Sequence, residues 1–424
     1  VNPALQVGYE GVAQLARALT AVAPTSRHKL LATFAERRGA IARYHAFRRD
    51  TARPLLWMHA PSVGEGLQAR PVLESTRRLR PDAQLAYTYF SPSARAFARS
   101  LDVDFQDVLP FDTTGDMRAA LGALTPAALV FSKLDLWPTL AREASRRGTR
   151  LGMISATLAE RSSRRSRLAS SILRDAYGRL DRVGAVSTDD ADRLVALGVP
   201  ARRITVTGDT RYDQVWSRTR DIGRAAATID PLRAPRPTLV AGSTWPADEA
   251  MLLPAWSTVA SQHPDVRLII APHEPSVAHL ASIEAWAHAA GLRLSRLGAD
   301  DVARADVVLV DRLGVLGDLY DLANLAFVGG GFHAAGLHSV LEPAAFGAAV
   351  LFGPRHESSR DARLLLDADG ALEMPDRAAL ESTLESWARG DAQWFTAGTN
   401  ARRVVHSGLG AADRSYALVS ELLG

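Results

Sequence analysis

Leu55–Gly66, reading LLWMHAPSVGEG, is the stretch from which the fold is read. Its first part, Leu55–Ala60, is an apolar strand that stops at Pro61. A short loop follows, Ser62-Val63-Gly64-Glu65-Gly66, and a helical pattern begins at about Leu67. A carboxylate flanked by glycines at the carboxyl end of a strand is where an open α/β sheet binds ligands, because strand ends and helix N-termini meet there. Glu65 is therefore a candidate for a chemical role, with Ser62 and Gly64 beside it. The plainer alternative is that Glu65 only complements the dipole of the helix that follows.

Outward from this stretch, strands alternate with helices. Further strands are expected over Gln84–Tyr89, Ala127–Phe131, Arg150–Ser155, Arg182–Val186 and Ile204–Thr207, with helical patterns between them. This is the rhythm of a doubly wound parallel sheet. Thr219–Pro237 loses the hydrophobic period and ends in Pro231, Pro235 and Pro237, which marks a linker. A second α/β series has strands over Thr238–Ala241, Val266–Ala271, Val307–Val310, Leu325–Val328 and Ala349–Phe352. The expected organisation is a helical segment over 1–53, a first doubly wound domain over 54–218, a linker over 219–237, a second domain over 238–395, and a last segment over 396–424 returning toward the first domain. Two such domains imply an interdomain cleft.

Composition narrows the function. The 424 residues include no cysteine, which excludes disulfides and thiolate metal sites. The formal charge is +4 with an isoelectric point near 9.6, and Lys29 and Lys133 are the only lysines, so the positive charge is almost all arginine. This balance suits anionic substrates or a membrane surface and is not a nucleic-acid signature. Val1–Ala23 is mostly apolar but contains Glu10 and Arg17; it lacks the charged start and compact apolar core of a secretion signal, and its polarity argues against a membrane span without deciding between spanning, lying on and packing beside a membrane. Basic residues follow, among them Arg37, Arg38, Arg48 and Arg49. An apolar segment followed by a basic one reads as a helix lying on an anionic membrane surface. The plainer alternative is an amphipathic helix packed on the body.

Several strand ends carry polar groups. Gly329-Gly330-Gly331 follows an apolar strand and lets a ligand approach the backbone, although the dinucleotide fingerprint is absent. A helix is expected from near His338 or Ser339, with Glu342 about one turn in, where N–H groups bind phosphate and a carboxylate holds ribose hydroxyls. Ser243 and Thr244 lie between a strand and a helix and offer donors to a cleft, or else simply cap the helix. Pro272 and His273 end another strand. Lys133 and Asp135 follow a strand of the first domain, facing the cleft or pairing with each other on the surface. Arg161, Arg164, Arg165 and Arg167 form a basic cluster whose default is a solvated charge run. No metal-ligand spacing, nucleophile elbow or Walker loop is present, so no metal is expected.

Taken in order, W-M-H-A-P-S-V-G-E, K-L-D-L-W-P, G-D-T-R-Y-D, A-G-S-T-W-P, A-P-H-E-P and G-G-G…L-E-P-A-A-F-G resemble the 3-deoxy-D-manno-octulosonic acid (Kdo) transferase family. The resemblance runs from about Leu31 to Asp369. It implies a GT-B fold, two Rossmann-like domains with the active site in the cleft between them, the first on the acceptor side and the second holding the nucleotide sugar. It implies transfer of Kdo from CMP-Kdo to a lipid A precursor in lipopolysaccharide biosynthesis, at the cytoplasmic face of the inner membrane, with no cofactor and no metal. Glu65 then matches the general base, Glu342 the glutamate near the ribose, and Ser243-Thr244 and Gly329–Gly331 the nucleotide-side loops. The N-terminal basic helices would hold the protein on the membrane, where the acceptor's phosphates sit. Many members have G-G-H-N where Gly336-Leu337-His338-Ser339 stands here, P-R-H-P where Pro272-His273-Glu274-Pro275 stands, and a glutamate at Asp135. Rival readings are another sugar-nucleotide enzyme of the same fold, such as a 2-epimerase, and a non-catalytic sugar-nucleotide-binding protein.

Overall fold

The computed structural model describes residues 3–22, 29–158, 167–220, 226–233 and 236–424. The basic cluster at Arg161, Arg164 and Arg165 lies outside them. The chain divides into two compact units, Val1–Gln214 with Leu409–Gly424, and Val215–Gly408.

The first unit is built on β1 (Leu55–His59), β2 (Gln84–Tyr89), β3 (Phe105–Val108), β4 (Ala128–Ser132), β5 (Arg150–Ala156), β6 (Arg182–Ala185) and β7 (Ile204–Val206). They form one parallel sheet in the order β3-β2-β1-β4-β5-β6-β7. The central strands β1, β2 and β4 are buried at every position, as expected for a sheet covered by helices on both faces. Their side chains alternate between two cores. Leu55, Trp57, Leu129, Phe131, Leu151 and Met153 enter one, and Leu56, Met58, Val130 and Ile154 enter the other. The last helix, Ala411–Leu423, completes the second of these cores through Leu418, Val419 and Leu422. Asp213 fixes the start of that helix by accepting the N–H groups of Gly410 at 2.7 Å and Ala412 at 2.8 Å.

The second unit repeats the plan with β8 (Thr238–Thr244), β9 (Arg267–Pro272), β10 (Leu294–Arg296), β11 (Val307–Leu309), β12 (Leu325–Val328), β13 (Ala349–Phe352) and β14 (Ala371–Glu373). The order is β10-β11-β9-β8-β12-β13-β14, again parallel. Leu239, Ala241, Leu268, Ile270, Leu325 and Phe327 face one core, while Val240, Ile269 and Ala326 face the other. This is the doubly wound, Rossmann-like pair of a GT-B fold.

Three strands, β3, β10 and β14, were not legible in the sequence. Each is an edge strand of three or four residues that is only partly buried, so none carries a continuous apolar run. The stretch read as a linker also differs. Ala226–Ile229 is helical, Asp230–Leu232 forms a 3₁₀ turn, and Ile229 and Leu232 are fully buried in the second unit's core. Buried Arg267 donates to the Leu232 carbonyl at 2.5 Å and to Thr238 Oγ1 at 3.0 Å. The prolines there mark turns in a packed segment, and the chain passes between units at Gln214–Val215 and again at Gly408–Leu409.

Candidate active site

In each sheet the strand order reverses at one place. In the first unit it reverses between β1 and β4, and in the second between β8 and β12. Such a reversal opens a crevice beyond the strands' carboxyl ends, because the two connections leave in opposite directions. Glu65 follows β1 and Lys133 follows β4, so the first unit's reversal brings together two residues 68 positions apart. Lys133 Nζ lies 3.5 Å from Glu65 Oε1. Lys133 thus pairs with Glu65, and it does so from a left-handed backbone, φ 64°, a conformation costly for a residue with a side chain.

The helix after β1 begins at Val63, four residues earlier than the pattern indicated, and runs to Leu79. Glu65 is therefore its third residue, and Ser62 is the N-cap in an extended conformation, φ −133°. The Ser62 hydroxyl donates to Glu65 Oε2. The signal for this start was Ser-x-x-Glu, the spacing of a capping box. Ser132 Oγ donates to the Glu65 carbonyl at 2.9 Å. One turn on, Thr210 Oγ1 donates to the Gln68 carbonyl at 2.7 Å, and Gln68 Nε2 donates to buried Asp209 at 3.1 Å. The G-D-T-R-Y-D motif is thus a brace for the Glu65 helix. Gly66 is required by packing, since a Cβ there would lie 2.4 Å from the Phe97 ring and 2.7 Å from the Tyr87 hydroxyl.

In the second unit, β8 and β12 end against each other. Would-be Cβ atoms on Gly329, Gly330 and Gly331 would meet the backbones of Ser243, Gly336 and Gly353 at 2.2, 2.1 and 2.3 Å. On the side where a Cβ would stand, the three glycines admit the protein's own backbone. Their neighbouring donors are also taken. Fully buried Asp248 accepts the N–H groups of Trp245 at 2.9 Å, Gly330 at 2.8 Å and Phe332 at 3.0 Å. Thr244 is fully buried, and its hydroxyl donates inward to Glu249 at 2.7 Å, so it offers nothing outward. Ser243 holds a left-handed backbone, φ 54°, and Pro272 closes β9 beside Thr244.

What does gather at this strand end is aromatic. His273 and His333 stack on Trp245, with ring centroids 4.6 and 4.2 Å away, and His338 stacks on His273 at 4.5 Å. Trp245 Nε1 donates to His338 Nε2 at 3.1 Å. That bond places the proton of neutral His338 on Nδ1, leaving a donor there. Burial, and then the nearby His273, hold the His338 imidazole below the usual histidine range. The helix expected from His338 or Ser339 starts instead at Leu341, because the His338 N–H is tied to the Gly329 carbonyl at 3.1 Å. Glu342 is its second residue, and its Oε1 accepts from Arg218 at 3.1 Å. Burial pushes the Glu342 carboxyl upward, and Arg218 opposes the shift. Ser339 is exposed.

Residues 32–214 match the family model described as 3-deoxy-D-manno-octulosonic-acid transferase (kdotransferase). The 3-deoxy-D-manno-octulosonic acid transferase of Bordetella pertussis is 29% identical over 344 residues, covering 78% of each chain. The enzyme of the same name from Haemophilus influenzae is 27% identical over 345 residues, again 78% of each. Over these spans the chain is similar to the Kdo transferase family. A crystal structure of UDP-GlcNAc 2-epimerase from Neisseria meningitidis bound to UDP-GlcNAc superposes with a TM-score of 0.64 over 87% of this chain and 99% of that one; at 12% identity it shares the fold alone.

The N-terminal arginines take different roles from one another. Arg37 is buried and donates to the carbonyls of Thr33 at 2.7 Å and Phe90 at 3.2 Å, with its guanidinium 4.0 Å from the Phe90 ring centre. Burial lowers it to about 10. Arg49 donates to the Leu124 carbonyl at 2.8 Å and to Gln84 at 2.7 Å. Both are structural, whereas Arg38 and Arg48 are exposed. Reading the sequence missed His333, Asp248 and His59. The last is fully buried in β1, between Thr88 and Trp137.

Proposed function

We propose that the chain is an inverting glycosyltransferase that moves Kdo from CMP-Kdo to a lipid A precursor, with Glu65 as general base. The observation that carries the reading is the position of Glu65 at the reversal of the first sheet, held by Ser62 and Lys133 within the segment that matches the family. The acceptor hydroxyl oxygen bonds to the anomeric carbon of Kdo as the bond from that carbon to the CMP phosphate breaks. The hydroxyl proton passes to Glu65, and CMP leaves with the bonding electron pair. Base assistance of this kind is worth about 10²–10⁴-fold. The Lys133 ammonium and Ser62 hydroxyl orient the carboxylate.

On the donor side, the N–H groups of Gly330 and Phe332 are occupied by Asp248. The groups assigned to the nucleotide are therefore Ser243, the imidazoles of His273 and His338, and Glu342, the last for ribose hydroxyls. At the membrane, the helix Pro3–Val22 exposes Val7, Val12 and Leu15, an apolar edge suited to the lipid interface at the cytoplasmic face of the inner membrane. No helix among the described residues is long and apolar enough to cross a membrane.

The test is incubation of the chain with CMP-Kdo and lipid A precursor, followed by product mass. Wild type adds Kdo, and Glu65→Gln lowers the rate at least about 10²-fold while CMP-Kdo binding stays within twofold. Turnover retained in Glu65→Gln removes Glu65 as the base. Isomerisation of a nucleotide sugar without lipid acceptor would favour the epimerase reading instead.

A further inference from the structure

His279 lies in the first turn of the helix Val277–Ala289, just past the loop that carries His273. Its imidazole faces two acceptors. Nε2 is 2.9 Å from both oxygens of Glu249, and Nδ1 is 3.1 Å from the Glu274 carbonyl. The two side chains are only 13% and 8% exposed, so water does not replace a bond that is lost there. A carboxylate and a carbonyl both accept, so both ring nitrogens have to donate. Only the imidazolium carries two N–H groups. The neutral ring keeps one of the two bonds and turns a lone pair on the other acceptor.

The two bonds join elements that frame His273. Glu249 also accepts from Thr244 Oγ1 at 2.7 Å, and the Thr244 carbonyl accepts the His273 N–H at 2.9 Å. The Glu274 carbonyl also accepts the Ser276 N–H at 2.8 Å, and Ser276 Oγ accepts the His279 N–H at 3.3 Å. His279 thus ties the loop after β9 to the end of β8. His273, between the ties, stacks on Trp245 and His338.

The His279 helix packs on the helix Pro246–Gln262, where Trp286 donates to Ser257 at 3.0 Å, and on β10. The other charged groups of these elements are engaged elsewhere. Asp248 turns to the N–H groups of Trp245, Gly330 and Phe332, and Arg296 of β10 pairs with Glu284 at 2.8 Å. The Glu274 side chain is exposed, and His288 lies at the far end of the helix. Among the described residues, Glu249 is the charge that pairs with the ring.

We propose that His279 is a positioning residue for the nucleotide: its protonation closes the tie that holds the His273 loop in place, and nucleotide binding tightens with it. This rests on the assignment of His273 to the nucleotide above.

CMP titration of the full chain at pH 5.5 and pH 8.5, which span the ordinary histidine range, tests it against His279→Gln. The glutamine amide donates where Nε2 stood and leaves the Glu274 carbonyl without its second donor. At pH 5.5 the variant is expected to bind CMP about fivefold more weakly than wild type, the worth of one hydrogen bond. At pH 8.5 the two are expected to agree within about twofold. His273 and His338 are present in both proteins and cancel in the ratio. A ratio that is the same at both pH values overturns the proposal, since a purely structural role gives a constant loss. Amide hydrogen exchange of the wild type needs neither variant nor nucleotide. After correction for intrinsic rates, the His273 and Ser276 N–H groups should be about fivefold better protected at pH 5.5 than at pH 8.5. Equal protection overturns the proposal. If wild type binds CMP at neither pH, the nucleotide reading fails by itself, and the exchange result still decides whether His279 ties the loop.

Discussion

His59 shows how a side chain without any part in the chemistry sets a condition on it. Its Nε2 accepts from Trp137 Nε1 at 3.0 Å and its Nδ1 lies 3.0 Å from Thr88 Oγ1. Burial, and then Arg37, lower its titration to about 3. The folded state therefore wants it neutral, while the unfolded chain protonates it near its ordinary value of 6.5. The stability it contributes is full above about pH 6.5 and is lost as pH falls toward 3, by about 1.4 kcal/mol per unit at most. Asp112 runs the other way. Burial raises it to about 6 against backbone N–H bonds that lower it, so its contribution is present below about pH 4 and fades as pH rises through 6. His59 has the wider window and wins. The urea midpoint of the wild type is expected to fall between pH 7 and pH 4, and that of His59→Gln to change less over the same range. Equal pH dependence in the two would remove His59 as the source.

At this scale, the sequence made the positions of polar groups readable but not their directions. Glu65 and His273 do stand just past the ends of strands β1 and β9, as read. Thr244 was singled out on the same grounds, yet its hydroxyl turns inward to Glu249. The glycine triplet was read as room for a ligand, and on its Cβ side it is filled by backbone. Asp248 was invisible because it lies in a helix, where an acid looks like any dipole partner.

Among the elements, the helix Pro3–Val22 packs on the body, the plainer of the two readings that the sequence offered. One face is pinned to the body. Tyr9 donates to Asp112 at 2.8 Å, Arg17 to Asp116 at 3.0 Å, and Glu10 accepts the Thr114 N–H at 2.8 Å. The other exposes Val7, Val12 and Leu15. The pins converge on a helix start as well, since Asp112 also accepts the N–H groups of Thr139 and Leu140 at 2.8 and 2.7 Å. Removing one pin should loosen the helix without unfolding the unit. Tyr9→Phe is expected to speed limited proteolysis within residues 3–22 several-fold, with transfer activity in detergent unchanged; protection equal to wild type would show that the Tyr9 bond contributes nothing. Periodicity identified long elements well and short edge strands poorly, because a three-residue strand at a sheet edge has too few buried positions to make a pattern.

The whole molecule is two parallel sheets of the same plan, and that repetition was legible from the alternation of strands and helices. What was not legible is which residues close each core. Residues 396–424 read as one returning segment, but Gln393–Ser407 packs in the second unit and Ala411–Leu423 in the first. Gly152 in β5 makes room for the latter, since a Cβ there would lie 2.4 Å from Leu422 Cδ1. Gly152→Ala should destabilise the first unit by about 1–3 kcal/mol, and Leu422→Ala by about 2–5 kcal/mol, both read as a lower urea midpoint. Combining them should cost less than the sum, because the two changes share one space.

That final helix has a consequence for synthesis. The ribosome delivers residues 1–214, then the entire second unit, and only afterwards the stretch that finishes the first. Domains tend to fold as units while the chain emerges. Here the later half of the message has its complete core while the earlier half still shows an open apolar face around Gly152. The nascent protein therefore passes through an interval in which its amino-terminal portion shows that apolar face to solvent, and the interval lasts until Ala411–Leu423 has emerged.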